Sequence, residues 1–404
     1  MKLYAQIGHQ TGSKIESAAR DEIIDGLIIS PRYCSEAYTQ KLAETGIQEG
    51  LDVLFDPQIY ALPYRNYAEE KRNLGKLEDL NYFYEKWEKK KFIEGNQAVE
   101  CIEQALQYQA RLPLTHWISP NLVLEDFGSP FYKPFLDFIR SSIRVADKVT
   151  VFGNRPRILI TISFSEQALR QKTELDNLLS EFSSWTDRPA GFYILLEKDH
   201  WDERFDCLPE DVIGNLLYLT YSLSYNGYEV VAGYVDMLTP FLIGVGASAG
   251  GTGWFEPQKC FHRNRLFLKT PPRMRGRPRY TSAPLLCRIL TGELERFEEV
   301  GLRGIRSDTP YESEFPPRGS KVTVELEALQ HWASIKSLIN GIDDDVEANI
   351  SLLKQRLKTA RELYDRIEDI PGRLDVKSRP THLRPLNNGI EGFIKSTGLH
   401  GDTD

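Results

Sequence analysis

Residues 26–58 read GLIISPRYCSEAYTQKLAETGIQEGLDVLFDPQ. Two short apolar runs, residues 26–29 and 52–55, enclose a polar stretch with helical spacing at residues 35–44. Both runs are apolar at almost every position, which is typical of a parallel strand covered by helices on both faces. The stretch therefore predicts one β-α-β unit of a parallel sheet.

The same unit recurs through the first 255 residues. Apolar runs predict strands at residues 2–7, 26–29, 52–55, 112–118, 157–162, 192–196 and 229–235, with an eighth inside residues 245–254. Helical spacing predicts helices at residues 11–23, 35–44, within 67–110, and at 134–146, 166–185, 209–225 and 236–244. Strict alternation over eight units favours a closed (β/α)8 barrel of the TIM type. A doubly wound open sheet is the alternative, but residues 7–12 read IGHQTG, without the GxGxxG expected after its first strand.

The chain changes character beyond residue 255. We assign residues 1–255 to the barrel, 256–320 to a basic, proline-broken arm packed on it, 321–370 to a C-terminal α-helical hairpin, and 371–404 to a polar, loop-like tail. The second helix of the hairpin carries one continuous apolar stripe, formed by Ile342, Val346, Ile350, Leu353, Leu357, Ala360, Tyr364 and Ile367. Such a stripe suits packing on the barrel, or contact with a protein partner or a second copy of the chain.

Composition excludes some classes of protein and favours others. The chain has 404 residues, a formal net charge of −8 and 41% hydrophobic residues, which is typical of a globular protein without a general attraction to nucleic acid or membranes. Its longest apolar run, near residues 241–249, is too short to span a bilayer. The five cysteines form no CxxC pair, so we expect no structural metal site, no disulfide framework and a cytoplasmic location. No cofactor motif is recognised.

Two aspartates are the leading catalytic candidates. Asp56 and Asp236 directly follow apolar runs (VLFD and GYVD), so both should project at the mouth of the barrel, where such enzymes place their catalytic groups. Two carboxylates in one partly buried mouth should shift each other's pKa apart, which suits one to be a base or nucleophile and the other an acid. The alternative is that both only cap turns or helices. His9, at the end of the first strand, is a candidate general base or a hydrogen-bonded loop histidine.

Other residues at the predicted mouth are candidates for substrate binding. Arg32 suits a bidentate clamp on phosphate or carboxylate, and a structural salt bridge is the alternative. Gln58 follows the third strand. Residues 244–253 read GVGASAGGTG, in which Gly246, Gly250 and Gly251 would let backbone N–H groups approach a ligand, or would simply let a cramped strand pack. The segment lacks GK[ST] and is not a P-loop.

The arm is strongly basic. Its arginines, with Phe261, Phe267 and Tyr280 interleaved, could follow a nucleic-acid backbone while the rings stack on bases. The candidate nucleic-acid-binding residues are Arg263, Arg265, Arg273, Arg275 and Arg277. The alternative is an arm that neutralises the acidic body of its own chain or of a partner.

One arrangement resembles a known family. Aspartates at the ends of the third and seventh strands are similar to those of tRNA-guanine transglycosylase-like barrels, in which two aspartates, one attacking a ribose carbon, exchange a nucleobase. The resemblance implies that Asp56 and Asp236 are the matching positions and that the substrate is of nucleoside type. This chain departs from that family, because it lacks the cysteine-rich zinc motif, has Pro57-Gln58 where a serine-glycine turn is expected, and ends in a foreign helical hairpin.

Two hypotheses follow. In the first, the chain is an enzyme of transglycosylase or hydrolase type, and its mouth binds a nucleoside- or phosphate-containing small molecule, or a nucleic acid held by the arm. In the second, it is a non-catalytic component of a larger assembly that uses the hairpin and the arm.

Overall fold

The computed structural model describes residues 1–8, 11–61, 74–83, 97–149, 156–199, 208–263, 276–315 and 322–399. The main sheet contains nine parallel strands. In chain order these are β1 Lys2–Ile7, β2 Gly26–Ile29, β3 Asp52–Phe55, β4 His116–Ile118, β5 Val123–Leu124, β6 Arg157–Ser165, β7 Gly191–Glu197, β8 Glu229–Ala232 and β9 Ala249–Thr252. The first three coincide with the predicted strands, because each is a short apolar run between polar turns.

The sheet closes on itself. Pairing runs from β4 through β3, β2, β1, β9, β8 and β7 to β6, and β6 pairs back to β4. The strands β4 and β5 pair with successive parts of β6, so they are two halves of one barrel strand. Thr161 spans the break between them, donating through its N–H to Ser119 Oγ and accepting at its carbonyl from Asn121 Nδ2. The ring therefore has eight parallel positions, and the predicted TIM-type barrel is confirmed.

Helices cover the outside of the barrel. They are α1 Lys14–Arg20, α2 Glu36–Gln48, α3 Gln97–Gln109, α4 Tyr132–Ala146, α5 Glu166–Leu169, α6 Lys172–Ser183, α7 Glu210–Tyr225, α8 Thr239–Gly244, α9 Thr291–Glu299, α10 Val324–Ile339, α11 Val346–Glu368 and α12 Leu383–Thr397. None of the described helices combines the length and apolar character needed to cross a bilayer.

The helix α10 occupies the place of the eighth outer helix. It packs against α1, α8 and β1. Near its start, Ser13 Oγ donates a 2.6 Å hydrogen bond to Glu325, and near its end Lys336 Nζ donates a 2.6 Å hydrogen bond to Asp25. Ser13 lies between β1 and α1, at the carboxyl ends of the strands, and Asp25 lies just before β2, at their amino ends. The helix α10 therefore runs antiparallel to the strands, as the outer helices of such a barrel do. The eighth unit is thus completed by the C-terminal region.

The chain between β9 and α10 contains more regular structure than predicted. The strands β10 Arg279–Ser282 and β11 Cys287–Leu290 form an antiparallel ribbon, which α9 follows. The ribbon packs on α10, where Gln330 donates to the carbonyl of Thr281 and accepts from its N–H. The ribbon therefore links this segment to the barrel's eighth helix.

The apolar stripe of α11 is covered by the chain itself. The stripe residues from Ile350 to Ile367 are all buried. The helix α11 packs on α8 and α12. Because α8 has only six residues, the longer helix supplies the apolar cover that α8 cannot. The proposed use of this stripe as a partner or oligomer surface is therefore wrong: its apolar side chains already face the interior of the single chain.

The loop-like interpretation of residues 371–404 is wrong for residues 383–397, which form α12. Its buried side chains Leu383, Leu386, Ile390 and Phe393 recur every three or four residues, a helical spacing that the polar composition of the tail conceals. The helix crosses α7 very closely at Gly389. A Cβ at that position would lie 2.5 Å from Ile213 Cγ2.

Gly389→Ala should therefore destabilise the protein by about 1–3 kcal/mol, because the added methyl overpacks the crossing of α12 and α7. Gly392→Ala on the same helix is the matched control. Its Cβ would meet nothing within 4 Å, so the better helix propensity of alanine should add up to about 1 kcal/mol. Urea unfolding of the two variants measures both changes. Equal changes of the same sign would contradict the close docking of α12.

Candidate functional site

A buried carboxyl group lies at the end of β3. Asp56 is 1% exposed and accepts a 2.7 Å hydrogen bond from the Tyr60 hydroxyl and one of 3.1 Å from the Gln58 N–H. The hydroxyls of Tyr234 and Tyr193 lie 3.4 and 3.5 Å from the same oxygen that Tyr60 contacts. The carboxyl group is thus surrounded by three phenols from β7 and from the loops after β3 and β8. We call this group the tyrosine cluster.

The backbone around the cluster is strained at two positions. Gln58 has φ 53° and Tyr234 has φ 59°, a region that residues with a Cβ rarely adopt. Both are held there by side-chain hydrogen bonds: Gln58 accepts from the Arg32 N–H and donates to the Tyr234 hydroxyl at 3.1 Å. Strain of this kind concentrates at functional sites. It favours a functional over a purely structural role for the cluster.

Burial raises the pKa of Asp56 from 3.8 to about 6, although the hydrogen bonds from Tyr60, Gln58, Tyr234 and Tyr193 all act to lower it. Removal from water penalises the carboxylate more than these donors stabilise it. A carboxyl group that titrates near neutral pH can both donate and accept a proton, which is what general acid–base catalysis requires.

A narrow cleft opens above the cluster. Its walls are Ser30, Arg32, Tyr33, Gln58, Tyr60, Tyr234, Pro257, Gln258, Cys260, Phe261 and His262. The ring of Phe261 packs against Tyr60 and Tyr234, with centroids 4.5 and 5.9 Å apart. The cavity volume is about 30 Å³, room for one or two water molecules. A larger ligand would have to widen the cleft.

Arg32 gives the cleft a positive group. It lies in the one-turn helix Pro31–Tyr33 that follows β2 and is 5% exposed. Its guanidinium donates a 3.0 Å hydrogen bond to the Tyr33 hydroxyl and lies 5.0 Å from the centre of that ring. The two contacts orient the planar guanidinium within the cleft wall. The structure thus places Arg32 and Gln58, both predicted substrate-binding residues, in the cleft.

Asp236 has a different environment from Asp56. It follows β8, is 2% exposed, and its Oδ1 accepts from Thr252 Oγ1 at 2.8 Å and contacts His331 Nε2 at 3.0 Å. The ammonium of Lys259, which is wholly buried, lies 3.8 Å from the same oxygen. Asp236, Lys259 and His331 form what we call the buried ion cluster. Among the described residues, Lys259 Nζ has no hydrogen-bond partner.

The charges in this cluster are set by burial and by neighbouring charges. Burial would raise the pKa of Asp236, but Lys259 and then His331 together hold it well below its usual range. Burial lowers the pKa of Lys259 to about 7 and that of His331 to about 3. A neutral His331 can donate from Nε2 to Asp236 while its Nδ1 accepts from Thr281 at 2.9 Å. Asp236 is therefore a fixed carboxylate and not a proton donor near neutral pH.

Both predicted aspartates lie after barrel strands, and the cleft lies above Asp56. Neither aspartate lines the cleft itself; Asp56 is hydrogen-bonded to the lining residues Tyr60, Gln58 and Tyr234, and Asp236 to Thr252. The expectation that the two aspartates shift each other's pKa is wrong, because burial and the phenols act on Asp56 while Lys259 and His331 act on Asp236. The predicted base His9 lies outside the described residues.

The three candidate glycines serve packing. Gly250 and Gly251 lie within β9, where a Cβ would be 2.5 Å from Thr239 and 2.8 Å from Ile28, respectively. Gly246, with φ 109°, lies in the turn between α8 and β9 and so at the end of the barrel opposite the cleft. The prediction that these glycines contact a ligand at the mouth does not match this placement.

The basic arm is only partly described. Arg263 is held in ion pairs with Glu197 and Glu125, at 2.6 and 2.8 Å, so it neutralises acidic groups of its own chain, as the alternative interpretation of the arm expects. Arg277 is largely exposed and pairs with Asp375 at 2.9 Å. Arg265, Arg273 and Arg275 lie outside the described residues. Within the described part of the chain, no group of acidic, histidine and cysteine side chains is arranged to hold a metal ion.

Sequence reasoning missed most partners of the two aspartates. Tyr193 lies inside the apolar run of β7, and Lys259 and His331 lie 23 and 95 positions after Asp236. One signal was available: Tyr60 follows Asp56 by four residues, within hydrogen-bonding reach across a tight turn. For the others, only the folded chain reveals the contacts.

Comparisons with known proteins add little to what the geometry of the site shows about function. The chain matches no family profile and no curated protein. Among solved structures it is similar to xylanase B from Clostridium stercorarium F9, with a TM-score of 0.36 and 9% identity, over 63% of this chain and 85% of that one. A likeness this low carries no argument about substrate or reaction.

Asp56→Asn should change how stability depends on pH. The folded state holds the Asp56 proton up to about pH 6 and the unfolded state only to about pH 4, so the wild type loses stability as pH rises through this window. The two-unit difference corresponds to about 3 kcal/mol. The free energy of unfolding of the variant, relative to wild type, should therefore rise by about 3 kcal/mol between pH 4 and pH 8.

Asp52→Asn, at the other end of β3, is the matched control. Burial would raise the pKa of Asp52, but hydrogen bonds from Lys2 and Tyr4 hold it below its ordinary value. Asp52 therefore stabilises the wild type above the unfolded pKa and loses that effect only in more acidic solution, so the difference between Asp52→Asn and wild type should stay nearly constant from pH 4 to pH 8. Chemical denaturation across pH 4–8 measures both variants. A pH-independent difference for Asp56→Asn would contradict the raised pKa.

Proposed function

We propose that the chain is an enzyme whose active site is the cleft above Asp56, and that it acts at the glycosidic bond of a small nucleoside- or phosphate-containing substrate. The observation that carries the proposal is a carboxyl group with a pKa of about 6, buried among three phenols beneath an arginine-bearing cleft. Its position at the carboxyl ends of the strands is where barrel enzymes place their chemistry.

The lining of the cleft supports a ring-shaped, anionic ligand. The rings of Tyr60, Tyr234 and Phe261 offer apolar faces on which a base or sugar can pack. The guanidinium of Arg32 offers the planar donor pair that phosphate and carboxylate prefer. Together these groups suit a nucleotide better than a neutral oligosaccharide.

Asp56 would then act as the proton donor and acceptor. In its neutral form it can protonate the leaving group as the bond to the sugar carbon breaks. In its ionised form it can accept a proton from the incoming nucleophile, water or a second base, which restores the starting state. The resemblance to tRNA-guanine transglycosylases would instead make one aspartate a nucleophile at a ribose carbon. In that case Asp56, which lies beneath the cleft, would be the aspartate proposed for that role.

The alternative of a non-catalytic assembly component has weaker support. The stripe that suggested it is buried within the chain. Nucleic-acid binding by the arm stays a prediction, since most of its arginines lie outside the described residues.

Arg32→Lys should weaken binding of nucleoside 5′-monophosphates at least about 10-fold, because lysine cannot reproduce the planar donor pair. Asp56→Asn should abolish release of the base while changing affinity little. Arg157→Lys, at an exposed position at the start of β6 and so at the other end of the barrel, is the control and should behave as wild type. Calorimetry measures affinity, and chromatography of the products measures base release.

Equal affinity for wild type and Arg32→Lys would contradict the anion-binding role of Arg32. Base release by Asp56→Asn at the wild-type rate would contradict the catalytic role of Asp56. If no nucleoside phosphate, free nucleoside or sugar phosphate raised the melting temperature of the wild type, the proposed substrate class would be wrong.

A further inference from the structure

Two segments form facing walls of the cleft. One is the stretch 257–262, which contributes Pro257, Gln258, Cys260, Phe261 and His262 to the lining. The other is the turn after β8, which contributes Tyr234, and the rings of Tyr234 and Phe261 pack against each other across it. Lys259 is the one residue of the stretch 257–262 that does not line the cleft, and its side chain is wholly buried.

The same two segments are joined behind the cleft. Lys259, in the middle of the first wall, and Asp236, two residues after Tyr234, approach within 3.8 Å in the buried ion cluster. His331 of α10 contacts the same oxygen of Asp236 at 3.0 Å. One buried ion pair therefore connects both walls, although neither of its residues lines the cleft.

The turn that carries Tyr234 needs such support. Tyr234 and Asp236 both have positive φ, 59° and 44°, and a strained backbone persists only when its surroundings hold it in place. Between them, Val235 N–H donates to the carbonyl of Gly251 at 3.0 Å. The Asp236 side chain provides a further anchor, through Thr252, His331 and Lys259.

We propose that Asp236, Lys259 and His331 are positioning residues: they hold the Tyr234 hydroxyl against Asp56 and link the two cleft walls. As a statement about catalysis, this rests on the function proposed above. As a statement about the mouth of the barrel, it can be tested without any ligand.

The contact between Lys259 and Asp236 is suited to a wall that must move. At 3.8 Å the two atoms are too far apart for a hydrogen bond. The charges that face Lys259 are those of Arg288, Asp236, Glu327 and Glu256, and beside them lies neutral His331. A ligand larger than a water molecule can separate the walls by lengthening this contact, without breaking a hydrogen bond between the ammonium and any residue that the structure describes.

The test uses the pKa of Asp56 as its readout. The hydrogen bond from Tyr234 lowers that pKa, so its loss should raise it. Tyr234→Phe removes the hydroxyl directly, and Lys259→Met should displace it. Each substitution is made with Asp56 and with Asp56→Asn, and the pKa is taken from the pH dependence of the stability difference within each pair.

We expect both Tyr234→Phe and Lys259→Met to raise the pKa of Asp56 by about half a unit or more. Combined in one chain, the two substitutions should raise it no further than Tyr234→Phe alone, since they remove the same hydrogen bond. A Lys259→Met variant that is less stable at every pH while the pKa of Asp56 stays unchanged would overturn the proposal.

Lys259→Met leaves the Asp236 carboxylate buried without its cation, so the variant could fail to fold. The double variant Asp236→Asn/Lys259→Met removes both charges and should fold better; it must still raise the pKa of Asp56. Lys336→Met is the matched control. Like Lys259, Lys336 makes an ion pair with an aspartate, but it lies on α10 and pairs with Asp25 at the other end of the barrel. A similar shift in Lys336→Met would overturn the proposal. If these tests fail, the ligand-binding and base-release measurements can still support the proposed function. If those measurements fail, the pKa of Asp56 can still support the positioning role.

Discussion

The pairing of β9 with β1 is the contact on which the rest of the molecule depends. It joins the last barrel strand to the first, with Lys2 opposite Ala249 and Ala5 opposite Thr252. Two consecutive glycines allow it, because a Cβ on Gly250 or Gly251 would meet Thr239 on one side or Ile28 on the other at less than 3 Å. The ends of β3 and β8 lie four strand positions apart, and closure brings them to opposite sides of one mouth, where Asp56 and Asp236 lie.

Burial at this mouth gives two aspartates opposite properties. Asp56 is surrounded by neutral phenols, so the removal of water dominates and its carboxyl group holds a proton almost to neutral pH. Asp236 is equally buried, but the ammonium of Lys259 and a hydrogen bond from neutral His331 keep it ionised. Environment, not residue type, separates a group that can transfer protons from one that holds structure in place. The destabilisation caused by an uncompensated Asp56 is the kind of feature that is retained for function.

The periodicity of the sequence was enough for the barrel and insufficient for the site. The strands β1 to β3 are short apolar runs bounded by turns, and local pattern determines such elements. The break between β4 and β5 depends on hydrogen bonds between Thr161 and two polar residues of the neighbouring strand, which no periodicity records. The helix α12 was hidden because its apolar positions are sparse in a polar segment. Asp56 and Asp236 were found because each follows an apolar run, although β8 ends at Ala232, four residues before Asp236.

The contacts of those aspartates could not be predicted from local pattern, because they join parts of the chain that are far apart in sequence. His331 reaches Asp236 because α10 takes the place of the eighth outer helix, and Lys259 does so because the segment after β9 folds back under the cleft. The C-terminal region is therefore not an appendage to a finished barrel. It supplies the helix that covers the seam between β9 and β1 and the imidazole that anchors the turn carrying Tyr234. A mouth assembled in this way depends on residues from both ends of the chain, so its geometry can be complete only after the C-terminal region has docked.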